Sequence, residues 1–240
     1  MTLIIGVVLP KGILLTGDTR ETTTTGEVVS DLTRKILSIT PSIDLACSNS
    51  ESNWYTARIL RDSIFKALQE YPERYSTDDL RKIILNLYHN VNEIYQGNHP
   101  KNYPVGGLIL SEYDRTHSKF NLLFNPGGNG YHNFIIQDNI LDIAVIGGDG
   151  IVQDDVVSSM KFELEHKDFD VNHPDAHLKV ARIFKNYLKK INYNGIGRNV
   201  YSSYFGNVDN QIGRIQYLLL EHEQEPRVFK KNEDYRYFNL

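Results

Sequence analysis

The chain has 240 residues, 40% of them apolar and 23% charged, an ordinary globular mixture long enough to bury a substantial core in one large domain or two small ones. A formal net charge of −4 with both signs interspersed excludes the basic face of a nucleic-acid binder. The lone Cys47 excludes an internal disulfide or a cysteine metal cage. No apolar run approaches the ~18 residues of a membrane span, and the N-terminus lacks a secretion-signal layout, so the chain is read as soluble and cytoplasmic.

The apolar run 3–9, the turn Pro10-Lys11-Gly12 and the run 13–17 predict a β-hairpin, with proline setting φ and glycine relaxing it. A threonine-rich polar loop covers 21–26. Val28-Val29 and 35–39 predict a second hairpin around Asp31-Leu32-Thr33, and 43–47 a further strand. Two helices follow. Trp54, Ala57, Leu60, Ile64, Phe65 and Leu68 have helical spacing over 52–70, closed by Pro72. Ser76-Thr77-Asp78-Asp79 offers a Ser or Thr cap to a second helix that Gly97 and Pro100 stop.

Strands are expected again at 105–110, 120–124, 133–137 and 141–146. After Gly147-Gly148-Asp149-Gly150, helices are expected at 154–164, capped by Asp154 or Asp155, and at 174–191. A strand at 215–220 precedes a polar tail. Helices in pairs argue against a doubly wound parallel sheet and for a layered α+β fold, two antiparallel sheets face to face with a helix pair outside each. No linker splits the chain, so 1–240 is read as one domain with 221–240 as a C-terminal extension.

Thr2 opens the first strand. Removal of Met1 leaves a free α-amine on the residue that bears the hydroxyl, a nucleophile with its own base near neutral pKa. Three features stand at telling distances from it: Gly17-Asp18-Thr19-Arg20 at the end of the second strand, Thr33-Arg34-Lys35-Ile36 across the next hairpin, and the Gly147–Gly150 turn between strand and helix. In this order, over about residues 2–220, they resemble the proteasome β-type family of N-terminal nucleophile hydrolases, including the bacterial two-component peptidase type.

The resemblance implies a four-layer αββα sandwich, a self-compartmentalising homo-oligomeric ring, a partner ATPase, and hydrolysis of peptide or unfolded-protein substrates by a threonine endopeptidase. It implies Thr2 as nucleophile, Lys35 as its proton partner, Asp18 holding Lys35, Arg20 in a small ion network, and an oxyanion amide in Ala46-Cys47-Ser48-Asn49-Ser50. Gly148 and Asp149 in the small-residue turn and Ser202 in Asn199-Val200-Tyr201-Ser202 take supporting positions. No metal or organic cofactor is required.

The sequence departs from the family pattern at Asn49, usually glycine, at Asp149, usually a serine, at Asn199, an amide for a carboxylate, and at Leu3, for a second threonine. Asn49, Asp149 and Asn199 add weight to the rival reading, a non-catalytic ring or scaffold subunit of the same fold. A non-peptide amidase is the other rival. Each residue also has a plain reading. Thr2 is an ordinary second residue, Asp18 to Arg20 a strand-end ion pair, and Arg34-Lys35 a solvated edge that discourages strand pairing. The glycine-rich turn lacks the Gly-Lys-Ser/Thr ending of a phosphate loop. His166, His173 and His177 are read as surface histidines and not as a zinc site. No Gly-x-Ser-x-Gly elbow occurs. Tyr235, Tyr237 and Phe238 could dock on a neighbouring subunit or fray.

Overall fold

The computed structural model describes residues 2–99, 104–166, 169–229, 236 and 238, without the side chain of His166. The N-terminal hairpin forms as expected, β1 (Leu3–Leu9) against β2 (Gly12–Asp18), with Ile4 opposite Gly17. Both strands are buried along their whole length, so they do not alternate polar and apolar residues. Each fully buried Leu or Ile contributes about 1.5–3 kcal/mol relative to exposure. Gly6 lets the sheets approach: a Cβ there would lie 2.5 Å from Leu122 Cδ1.

The second hairpin is not the expected one. β4 (Val28–Ser30) pairs with β3 (Glu21–Thr22) in a separate two-stranded ribbon. β5 (Ile36–Thr40) pairs instead with β6 (Ile43–Cys47). Next come α1 (Glu51–Glu70), capped by the Ser50 hydroxyl, and α2 (Thr77–Gly97), opened by a Ser76/Asp79 capping box. β7 (Leu108–Asp114), β8 (Lys119–Asn125) and β9 (Ile135–Gln137) complete a five-stranded sheet in the order β5-β6-β7-β8-β9.

β10 (Ile143–Gly147) pairs with the free edge of β1, Leu3 opposite Gly147. Helix α3 (Gly150–His166) starts earlier than expected. Asp149 caps it by accepting the Val152 N–H at 2.9 Å, so the expected caps Asp154 and Asp155 lie inside the helix. Asp155 accepts the Tyr187 hydroxyl from α4 (Ala176–Lys190) at 2.8 Å. β11 (Val200–Val208) had no counterpart in the sequence reading. It joins β2 to β12 (Gln211–Leu219), and β13 (Arg227–Phe229) ends the six-stranded order β10-β1-β2-β11-β12-β13.

The four-layer αββα sandwich is corrected by this inventory. Among the described residues there are 13 strands in three sheets against four helices, and the molecule is more sheet-rich than that class. The β3–β4 pairing, the short edge strand β13 and the long β11 are absent from the sequence reading, whereas β9 falls within the strand expected at 133–137. β11 hides because its polar positions are buried and bonded: Ser202 Oγ to Thr16 Oγ1 at 2.7 Å, and Ser203 Oγ to Asp44 Oδ2 at 2.7 Å.

Apolar side chains gather in three clusters. One joins Leu3, Ile5 and Leu14 to Val156, Val180 and Phe184 of α3 and α4; a second joins Leu45 and Leu110 to Leu60 and Ile84 of α1 and α2. The third holds Ile4, Leu15, Ile109 and Leu122, from both large sheets. Asp44 also ties these sheets, accepting Ser203 Oγ at 2.7 Å and Arg214 Nε at 2.6 Å from the six-stranded one. Among the described residues no helix is long and apolar enough to cross a membrane.

Candidate active site

Thr2 precedes β1, only 8% exposed, at the wall of a cleft of about 890 Å³. Its backbone is fixed on one side by the β1–β10 ladder. Gly147 has φ +78, and a Cβ there would meet the Thr2 carbonyl oxygen at 1.9 Å, so this close approach needs glycine. On the other side stands Asp18, at the end of β2.

The Asp18 carboxylate accepts four hydrogen bonds. Oδ1 accepts the Leu3 N–H at 2.8 Å. Oδ2 accepts Lys35 Nζ at 2.9 Å and the N–H groups of Arg20 and Gly197, both at 3.0 Å. One carboxylate therefore holds the residue next to Thr2 with one oxygen and the ammonium of Lys35 with the other. The Lys35–Asp18 pair is buried, and Lys35 lines the Thr2 cleft. Burial holds the Lys35 pKa below its ordinary value and the Asp18 charge opposes that shift.

The expected residues divide accordingly. Asp18 joins Lys35 to the residue that follows Thr2, and Thr2, Lys35 and Asn49 line the same cleft. Asn49 has φ +72, a left-handed conformation that asparagine tolerates and glycine prefers. Its neighbours Ser48 and Ser50 donate their N–H groups to Gly107 and Val105, whereas no hydrogen bond from the Asn49 N–H to a described residue occurs.

Arg20 touches Asp18 only through its backbone. Its guanidinium turns to Asp31, Nε to Oδ1 at 2.6 Å, and to the Asn194 carbonyl at 3.1 Å. Gly148, φ +67, packs beside Leu3 and Val152 behind the site. Asp149 caps α3 and Ser202 is buried against Thr16, and neither is among the residues lining the cleft. His177 corrects the surface reading. It is buried and stacks on Tyr204 at 4.5 Å, and desolvation keeps it below the ordinary histidine range.

Gly197 is a site residue that sequence reasoning passed over. A Cβ there would lie 2.7 Å from Arg20 Cβ, and the signal was present in the Gly195-Ile196-Gly197 stretch. Trp54 and the stacked pair Tyr95 and His99 also line the cleft, from α1, α2 and just beyond it. Arg236 lines it too, arriving from the far end of the chain.

Cys47 lies beneath Lys35, its N–H donating to the Lys35 carbonyl at 3.0 Å, and burial pushes its thiol up to about 12. A thiol held protonated is a poor nucleophile. Native protein is expected to resist iodoacetamide at pH 8 and to react once unfolded, which intact-mass measurement reads directly. Among the described residues no three His, Cys, Asp or Glu side chains gather as a metal site. No family model matches the chain, and no curated protein matches it.

Proposed function

We propose that the chain is a threonine-type N-terminal nucleophile hydrolase that cleaves peptide bonds through Thr2 once the Met1–Thr2 bond is cut. The observation that carries the proposal is the bridging carboxylate: Asp18 binds Leu3 N–H and Lys35 Nζ at once, at the wall of a cleft lined by Thr2. The resemblance to proteasome β-type subunits points the same way.

In this mechanism Thr2 Oγ1 forms a bond to the substrate carbonyl carbon and gives its proton to the freed α-amine or to neutral Lys35. The oxyanion accepts from the Asn49 N–H. Collapse expels the amine half of the substrate, which takes that proton, and leaves an ester on Thr2. Water, activated by the Thr2 amine, then hydrolyses the ester. Asp18 positions Lys35 and compensates its charge.

A proton-accepting Lys35 must be neutral. Because burial lowers its pKa from 10.5, the accepting form gains population at a lower pH than for an exposed lysine. Turnover is therefore expected to rise with pH through a limb below 10.5, protonated Lys35 being inactive on the acid side. Where Lys35 is the acceptor, Lys35→Arg, which stays charged, abolishes turnover across the profile; where the α-amine is the acceptor, the variant keeps turnover and its pH limb. A pH series of kcat/KM on both proteins is the measurement.

The proposal itself is tested by intact mass with and without an epoxyketone. Loss of Met1 and one adduct on Thr2 support it; Met1 retained on every chain, or no adduct on processed chains, overturns it. The non-catalytic reading has an observation in its favour, Arg236 lying in the cleft. A cytoplasmic homo-oligomeric ring fed by an ATPase belongs to the same proposal and is tested by native mass.

A further inference from the structure

Residues 236 and 238 return to the cleft edge and bind it as a peptide ligand does. The Arg34 N–H donates to the Arg236 carbonyl at 2.6 Å, and the Phe238 N–H donates to the Leu32 carbonyl at 3.0 Å. Bonds of opposite sense, two residues apart on each side, are those of an antiparallel strand pair. Residues 236 and 238 are thus held by main-chain bonds to 34 and 32, the general mode by which an extended peptide adds to an exposed edge.

Its two described side chains enter separate receptors. The Arg236 guanidinium spans two carboxylates from different elements: Nη2 on Glu21 Oε1 at 2.5 Å from β3, and Nη1 on Glu51 Oε1 at 2.6 Å from the first turn of α1. The Tyr55 ring lies beside it, 5.8 Å from the guanidinium carbon. Arg236 also holds the Glu51 carboxyl below its ordinary pKa. Phe238 is buried. Its ring lies 5.1 Å from Tyr201 and 5.3 Å from Phe229, with the Arg34 guanidinium 4.3 Å from its centre. The hydrogen-bonded edge, the carboxylate pair and the aromatic pocket together read three features of one short peptide.

We propose that the 32–34 edge, with Glu21 and Glu51 on one side and Tyr201 and Phe229 on the other, is a binding site for extended peptides carrying arginine and, two positions later, an aromatic residue. Arg236 and Phe238 of the same chain fill it in cis. Arg236, Glu21, Glu51, Arg34 and Thr2 line one cleft, so the tail and any peptide reaching Thr2 compete for the same space. The binding does not depend on hydrolysis at Thr2, and it is measured without turnover.

The probe is a fluorescein-labelled heptapeptide with the sequence of residues 234–240. Anisotropy titration uses full-length Arg236→Ala/Phe238→Ala protein, whose own tail has lost both anchors. Saturable binding is expected, at least about tenfold tighter than to the unaltered chain. Alanine in place of the probe's arginine or phenylalanine is expected to weaken it at least about tenfold, the loss for one charge-assisted or buried aromatic contact. Equal binding of parent and substituted probes by the folded variant, or no saturable binding, overturns the proposal. A second measurement needs no variant. Excess unlabelled peptide added to the unaltered chain is expected to speed hydrogen exchange at the Phe238 amide by displacing the tail, and unchanged exchange there overturns the proposal equally.

Discussion

Asp18→Ala is expected to cost about 3–5 kcal/mol of stability and to abolish turnover, because the Lys35 ammonium is left in a buried position without its carboxylate. The N–H groups of Leu3, Arg20 and Gly197 lose their acceptor in the same step. For a chain of this length the loss corresponds to a melting temperature lower by roughly 10 °C. Asp18→Asn separates the two consequences. Its oxygen can replace Oδ2, where three donors converge, but its NH₂ then faces the Leu3 N–H in place of Oδ1. That donor against donor displaces the start of β1, and turnover is expected to fall further than stability. Thermal unfolding alongside kcat/KM for both variants reads the difference. A variant Asp18→Asn with full turnover would mean that the Leu3 contact does not position Thr2.

Thr2→Ala gives the opposite pattern. Only a hydroxyl and a methyl are changed, the β1–β10 and β1–β2 ladders keep all their bonds, and the melting temperature is expected to move by no more than about 2 °C. Turnover is expected to fall by about 10⁴-fold or more, the scale of removing a nucleophile. Thr2→Ser keeps the hydroxyl and is expected to retain turnover within about tenfold. Epoxyketone labelling should follow the same order, lost in the alanine variant and kept in the serine one. If the alanine variant turns over peptide at the parent rate, Thr2 is not the nucleophile and the cleft serves another purpose.

Thr2, Asp18 and Lys35 stand together as candidates through the family resemblance. Of the two hairpins invoked for them, the first forms as expected and sets Asp18 beside the start of β1, whereas the one expected to present Lys35 does not form, β5 pairing with β6 instead. Residues brought in from distant segments were not legible. Gly197 reaches Asp18 across 179 positions and Arg236 reaches Glu21 across 215. Ser202 was assigned to the site from a loose echo of a family motif, while its strand registers it with Thr16, deeper in the sheet. The ribbon β3–β4 was misread because Val28-Val29 looks like the partner of any nearby apolar run; its side chains are exposed, and the choice rests on backbone bonds to 21–22. Asp149, beyond two glycines with positive φ, was read by its place in a motif, and its carboxylate serves the first turn of the next helix.

Asp44 carries a mechanical consequence. It sits on β6 three residues before Cys47, about 10 Å along the strand from the cleft floor. There it grips Ser203 and Arg214 of the opposite sheet. Any sliding of one sheet over the other has to break this charged rivet first.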